Sequence, residues 1–132
     1  MTKIAVTMAA LGALALAVPA LADPAPAAKP RTSCFYSNQF ENWRASDAKT
    51  MYIRVGLRRY YRLDLANSCH DLTWPSAYLI TKIRGSNSIC SPLDWDLRVA
   101  MSPHDIPEPC IVKAMTELTP DEVAAIPRKF KP

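Results

Sequence analysis

The sequence predicts a small, mainly β domain of α+β type: five or six antiparallel strands forming a curled sheet or partly closed barrel, a short C-terminal helix and two disulfides. Three observations carry that expectation. Met51, Ile53 and Val55, then Tyr61, Leu63 and Leu65, place apolar side chains at every second position, the period of half-buried strands. Thr119-Pro120-Asp121-Glu122 combines a capping threonine, a first-turn proline and a glutamate at the capping-box position, the strongest helix start in the chain. Cys34, Cys69, Cys90 and Cys110 follow a leader of the kind that sends a chain to an oxidising compartment.

The leader reads Met1-Thr2-Lys3, then an apolar run from Ile4 to Val18, then Pro19-Ala20-Leu21-Ala22-Asp23. A positive start, a hydrophobic stretch and small residues at Ala20 and Ala22 predict a cleaved signal over 1–22, with the cut after Ala22. The apolar run is shorter than the roughly 20 residues of a membrane-spanning helix, and the first cysteine lies well beyond the cut. A periplasmic or secreted protein with no transmembrane segment after cleavage is expected. Residues 23–33 hold three prolines and no large apolar side chain, which predicts a disordered linker. The domain is expected over 34–127, followed by a basic tail at 128–132. Sixteen Lys and Arg against twelve Asp and Glu give a net charge of +4, too mild and too spread for nucleic-acid binding.

Within the domain, Cys34-Phe35-Tyr36 leads into Phe40, Trp43 and Ala45 set among polar residues, where a short helix or irregular turn is expected. The Thr50–Val55 and Tyr61–Leu65 runs predict an antiparallel hairpin with an aliphatic face and a wet face bearing Tyr52, Arg54, Tyr60, Arg62 and Asp64. A loop through Trp74-Pro75 precedes a third strand, Ala77–Arg84. After the turn Gly85-Ser86-Asn87 come a fourth strand, Ser88–Cys90, and a fifth, Trp95–Met101. The prolines at 103, 107 and 109 exclude regular structure from that stretch. Cys110–Leu118 predicts the sixth strand, and the helix runs to Ile126 before Pro127 stops it.

Nineteen residues separate even the closest two cysteines, so neither a zinc knuckle nor a Cys-x-x-Cys redox pair is present. Two disulfides follow. Their connectivity has three solutions, of which an up-and-down meander favours Cys69 with Cys90 and Cys34 with Cys110.

Cys34-Phe35, the Met51–Val55 strand, Tyr61-Arg62-Leu63, Cys69 followed by Leu72, Ile89-Cys90, Cys110-Ile111-Val112 and Leu118-Thr119-Pro120-Asp121-Glu122 together resemble a family of small exported proteobacterial proteins classed as a domain of unknown function. The resemblance spans Cys34 to about Ile126. It implies one exported domain with paired cysteines, and it brings no activity, cofactor or site residue with it.

The surface with most binding chemistry is the hairpin, where Arg54, Arg58, Arg59 and Arg62 crowd beside Tyr52, Tyr60 and Tyr61. Arginine forks beside aromatic rings suit phosphate, carboxylate or sugar; in an envelope these are lipid headgroups, lipopolysaccharide phosphates or peptidoglycan carboxylates. The simpler expectation is a solvated face whose arginines pair with Asp64 or a neighbour. Trp43, Trp74 and Trp95 are expected in or near the core, with Trp74 beside Pro75 the most exposed candidate. His70-Asp71 and His104-Asp105 are the one set that could build a metal or acid-base site, and no serine sits in a Gly-x-Ser-x-Gly elbow. The leading expectation is therefore a non-enzymatic envelope protein of the periplasm, a binding or structural protein that binds or supports an envelope component or another protein through its hairpin face, with no cofactor. A small hydrolase or metal-dependent enzyme using His70 and His104 is the first alternative. A secreted inhibitor or interaction module, presenting the loop from Pro103 to Pro109, is the second.

Overall fold

The computed structural model describes residues 33–132; the leader and all of the linker but Ser33 lie outside the described residues. Nine strands form in chain order: β1 Phe35–Tyr36, β2 Phe40–Asp47, β3 Thr50–Val55, β4 Arg59–Leu65, β5 Tyr78–Ile83, β6 Ser88–Ile89, β7 Trp95–Ala100, β8 Glu108–Cys110 and β9 Val112–Glu117, followed by one helix, α1 Pro120–Ala125. They are arranged as a four-stranded sheet in the order β2-β3-β4-β9, a three-stranded sheet β5-β7-β8 and a ribbon β1-β6. Every pairing is antiparallel, and the sheets do not close into a barrel.

The β3–β4 hairpin forms as its alternation predicts. Met51 pairs with Leu63 and Ile53 with Tyr61, and all four side chains are fully buried. Gly56, at φ +57, makes the tight turn between the strands, a left-handed conformation that a side chain would strain. Facing this sheet across a shared core are Leu97 and Val99 of β7 and Ile89 of β6. Phe35 bridges the layers, its ring 5.1 Å from Tyr61 and 5.8 Å edge-on from Trp95.

Four expectations are corrected. The stretch around Trp43 is a strand, β2, not a helix or turn. Its pairing with β3 slips between Phe40 and Asn42 and again between Ala45 and Asp47, so Phe40, Trp43 and Ala45 reach the core at a spacing that imitates a helix. Second, the described residues form nine strands, because β1 and β2 add to the six expected and the Cys110–Leu118 run divides at Ile111. Cys110 pairs with Leu97 of β7, whereas Val112 pairs with Leu65 of β4. Asn67 holds this crossing from both sides, donating to the Pro109 carbonyl at 2.8 Å and accepting from the Ile111 N–H at 2.8 Å. Third, the loop after Met101 is shorter than expected, since Glu108 and Pro109 already belong to β8.

Fourth, the cysteines join as Cys34–Cys90 and Cys69–Cys110. An up-and-down meander does not form because the chain changes sheet. β1 lies against β6, bringing Cys34 to Cys90, and the switch at Ile111 leaves Cys110 beside Cys69.

The C-terminal helix is built as its residues dictate. The Thr119 hydroxyl accepts from the Glu122 N–H at 3.3 Å, and the Glu122 carboxylate accepts from the Thr119 N–H at 2.7 Å. Two otherwise orphaned donors are thereby satisfied. Ile126 beyond it is 7% exposed yet outside the main core, because α1 lies over the outer face of the four-stranded sheet.

A cationic and aromatic candidate binding site

On that outer face, Arg54 stands opposite Tyr60, Tyr52 opposite Arg62, and Thr50 opposite Asp64. The wet face of the sequence reading is partly roofed: Ile126 and Glu122 close a groove of about 340 Å³ over Tyr52, Arg62 and Asp64. Beyond the helix, a 3-10 turn over Arg128–Phe130 carries the tail back across the sheet, and the Lys131 ammonium sits 5.8 Å above the Tyr60 ring.

The four arginines of the hairpin fall into two groups. Arg59 pairs with Glu117 at 2.8 Å and also reaches the Tyr61 hydroxyl and the Cys34 carbonyl. Its hydrogen bond to Glu117 raises the guanidinium above its ordinary pKa, while burial raises the Tyr61 phenol. Arg62 pairs with Asp64 at 2.8 Å. Arg59 and Arg62 are therefore largely neutralised within the fold. Arg54 and Arg58 have no carboxylate partner among the described residues, and the Arg54 Nε is buried there without a hydrogen bond.

A second groove, of about 460 Å³, opens along the free edge of β2, where Trp43 and Arg44 meet Trp74, Lys129 and Phe130. Three distant segments build it. Trp43 lies on β2 opposite Ile53, and Arg44 curls onto the Trp43 carbonyl at 3.2 Å. Trp74 ends the 3-10 turn His70–Thr73, whose Leu72 is buried at 2%. Rooting the turn through Leu72, with Pro75 following, leaves the indole displayed at 58% exposure. Phe130 is fixed by its N–H bond to the Pro127 carbonyl at 2.9 Å, with the Lys129 ammonium 4.6 Å over its ring. Of these residues the sequence singled out Trp43 and Trp74, but nothing in it signalled that Arg44, Lys129 and Phe130 would join them.

The histidines occupy exposed loops. His70 lies 3.8 Å from Glu108 with its side chain 79% exposed, and His104 is exposed on the β7–β8 loop. Among the described residues no three His, Cys, Asp or Glu side chains gather closely enough to hold a metal ion. Nor is any described helix long and apolar enough to cross a membrane.

A family model described as a family of unknown function, DUF6491, matches residues 1–129. The chain belongs to DUF6491. It is a family of unknown function, as anticipated from the cysteines and their neighbours, and the DUF6491 description assigns no activity, so the chemistry of the grooves is read from their own residues. Comparison with curated proteins finds no match, and comparison with solved structures finds none either.

Proposed function

We propose that this member of DUF6491 is an exported, non-enzymatic binding protein of the cell envelope that holds an anionic envelope component on its basic side. The observation that carries the reading is a convergence of cations. Arg44 and Arg54 stand opposite Tyr52 and Tyr60 on the outer face of the sheet. Lys129 lines a groove with Arg44, Lys131 sits over the Tyr60 ring and Arg58 lies in the adjoining β3–β4 turn; none of the five has a carboxylate partner among the described residues. Cations left unpaired on one surface attract anions from a distance and hold them by charge-assisted hydrogen bonds. The leader and the complete pairing of the cysteines, with none free, support an oxidising compartment.

Two measurements test it. Mass spectrometry of the protein recovered from a periplasmic fraction is expected to find Asp23 at the N-terminus. Purified peptidoglycan sacculi, and separately vesicles containing phosphatidylglycerol, are expected to sediment the protein at low salt and release it at high salt. A cytoplasmic, uncleaved chain that sediments with neither would end this proposal.

A second reading rests on the loop between β7 and β8. Tyr78 donates to the Ser102 carbonyl at 2.6 Å and the Asp105 N–H closes a turn onto the same oxygen at 3.1 Å. Prolines 103 and 107 stiffen the remainder, and Ile106 stands 95% exposed at the tip. A preorganised loop displaying one aliphatic side chain suits insertion into a partner protein's apolar pocket. A photo-crosslinking residue at 106 is expected to trap one discrete envelope protein, and Ile106→Ser reduces that complex; no discrete product would remove this reading.

A further inference from the structure

Resting on the envelope-binding reading, we infer that the β2-edge groove is a saccharide site, and that its ligand is a pyranose bearing a carboxylate. The inference comes from comparing the grooves of the described surface. The groove under α1 holds Arg62 with Asp64 and Glu122. A third, beside the β3–β4 turn, holds Arg58 and Arg59 with Glu117. A fourth, at the β6–β7 corner, has Arg84 and Asp96 in its lining, with Asp96 paired to Arg98. Each of these linings carries at least one carboxylate of the protein. The β2-edge groove alone among the four pairs two cations, Arg44 and Lys129, with no acidic side chain in its lining.

The same groove gathers Trp43, Trp74 and Phe130. The face of an aromatic ring carries partial negative charge and prefers to meet hydrogens that carry partial positive charge. One face of a pyranose presents a row of such C–H bonds, while its hydroxyls point outward toward water and polar neighbours. An indole exposed at 58% on a turn rooted by a buried leucine is therefore a ready platform for a sugar ring, and it loses little freedom on binding. Arg44 supplies a planar fork matched to a carboxylate, and Lys129 supplies a mobile point charge. A volume of about 460 Å³ lies within the range of roughly 300 to 1000 Å³ usual for small-ligand sites. A wholly neutral glycan would leave both cations unanswered, and a simple inorganic anion would leave three rings unused. A carboxylated sugar uses both sets.

The test is titration of the disulfide-bonded protein, labelled for NMR, with the disaccharide of N-acetylglucosamine and N-acetylmuramic acid, and in parallel with the neutral disaccharide of N-acetylglucosamine and with inorganic phosphate. The acidic disaccharide is expected to shift resonances of residues 43–45, 72–77 and 129–130 together. The neutral disaccharide should bind about tenfold more weakly, the loss expected from one charge-assisted hydrogen bond, and phosphate should leave the indole signals of Trp43 and Trp74 unmoved. Trp74→Ala, at an exposed position, should keep the wild-type Tm and abolish the shifts; Arg44→Ala should reduce the acidic preference. Equal binding of the two disaccharides, or shifts confined to residues 52–62, would overturn the inference. Sedimentation with sacculi separates the two levels of argument. If the parent sediments but Trp74→Ala keeps the disaccharide shifts, the groove is wrong and the envelope reading stands; if the parent neither sediments nor shifts, both fall.

Discussion

In the sheet of β2, β3, β4 and β9 the strands run six to eight residues, whereas β1 and β6 have two residues each and β8 has three. Both disulfides attach to the short strands: Cys34 precedes β1, Cys90 follows β6 and Cys110 ends β8. A long strand pair holds its register through many cross-strand contacts and a continuous buried face. A two-residue ribbon has one such buried pair, Phe35 with Ile89, and a covalent closure that limits the unfolded chain adds to what that pair supplies. The fold thus uses packing where the hydrophobic pattern is long enough and sulfur where it is not.

Four experiments would break or sharpen that contrast. The largest effect is expected in the packed region. Ile53→Ala, at a fully buried position opposite Tyr61, should cost about 2–5 kcal/mol, seen as a fall in the urea midpoint with an unchanged slope. Replacing Cys69 and Cys110 together by serine should cost about 2–4 kcal/mol. In native-state hydrogen exchange, that variant should lose protection across β7 and β8 well before β3 and β4. Equal loss in both sheets would mean the two regions open as one unit and the contrast fails.

Thr119→Ala, which removes the helix cap, should cost about 1 kcal/mol and leave exchange in β1, β6 and β8 untouched. The smallest effect concerns Asp94, whose carboxylate accepts from the Cys90 and Ser91 N–H groups at 2.7 Å each. Those bonds hold its pKa below the ordinary 3.8, so the folded state releases this proton more readily than the unfolded chain. Its contribution is fully present above the unfolded value and is lost as pH falls through the lower folded one. Acid titration of stability should therefore show a smaller decrease below about pH 4 in Asp94→Asn than in the parent, and an identical profile would remove Asp94 from the set of groups supporting the β6–β7 corner.

How far the sequence could be read follows the same division. The β3–β4 hairpin and α1 were legible because their signals are local: strict alternation in one, a cap with a first-turn proline in the other. β2 was hidden by its two slips in register, which turn a period of two into an apparent period of three between Phe40 and Trp43. The pairing of the cysteines depended on a sheet change at Ile111 that no local pattern marks. The hairpin arginines were visible as a cluster, but only the folded arrangement separates Arg59 and Arg62, bound to Glu117 and Asp64, from Arg54 and Arg58. The β2-edge groove was the least legible feature, since Trp43, Trp74 and Phe130 come from three separate parts of the chain.

The two bridges interleave, and that has a consequence for proteolysis. The span from Cys34 to Cys90 and the span from Cys69 to Cys110 overlap between Cys69 and Cys90, and this overlap contains the exposed stretch from Thr81 to Asn87 with its basic residues Lys82 and Arg84. A trypsin-like protease cutting there severs the backbone inside both loops at once. The two pieces nevertheless remain tied by two covalent links, so a nicked molecule gains one water in mass, migrates whole without reductant and separates only when both bridges are reduced. A single cut in this exposed stretch therefore releases nothing.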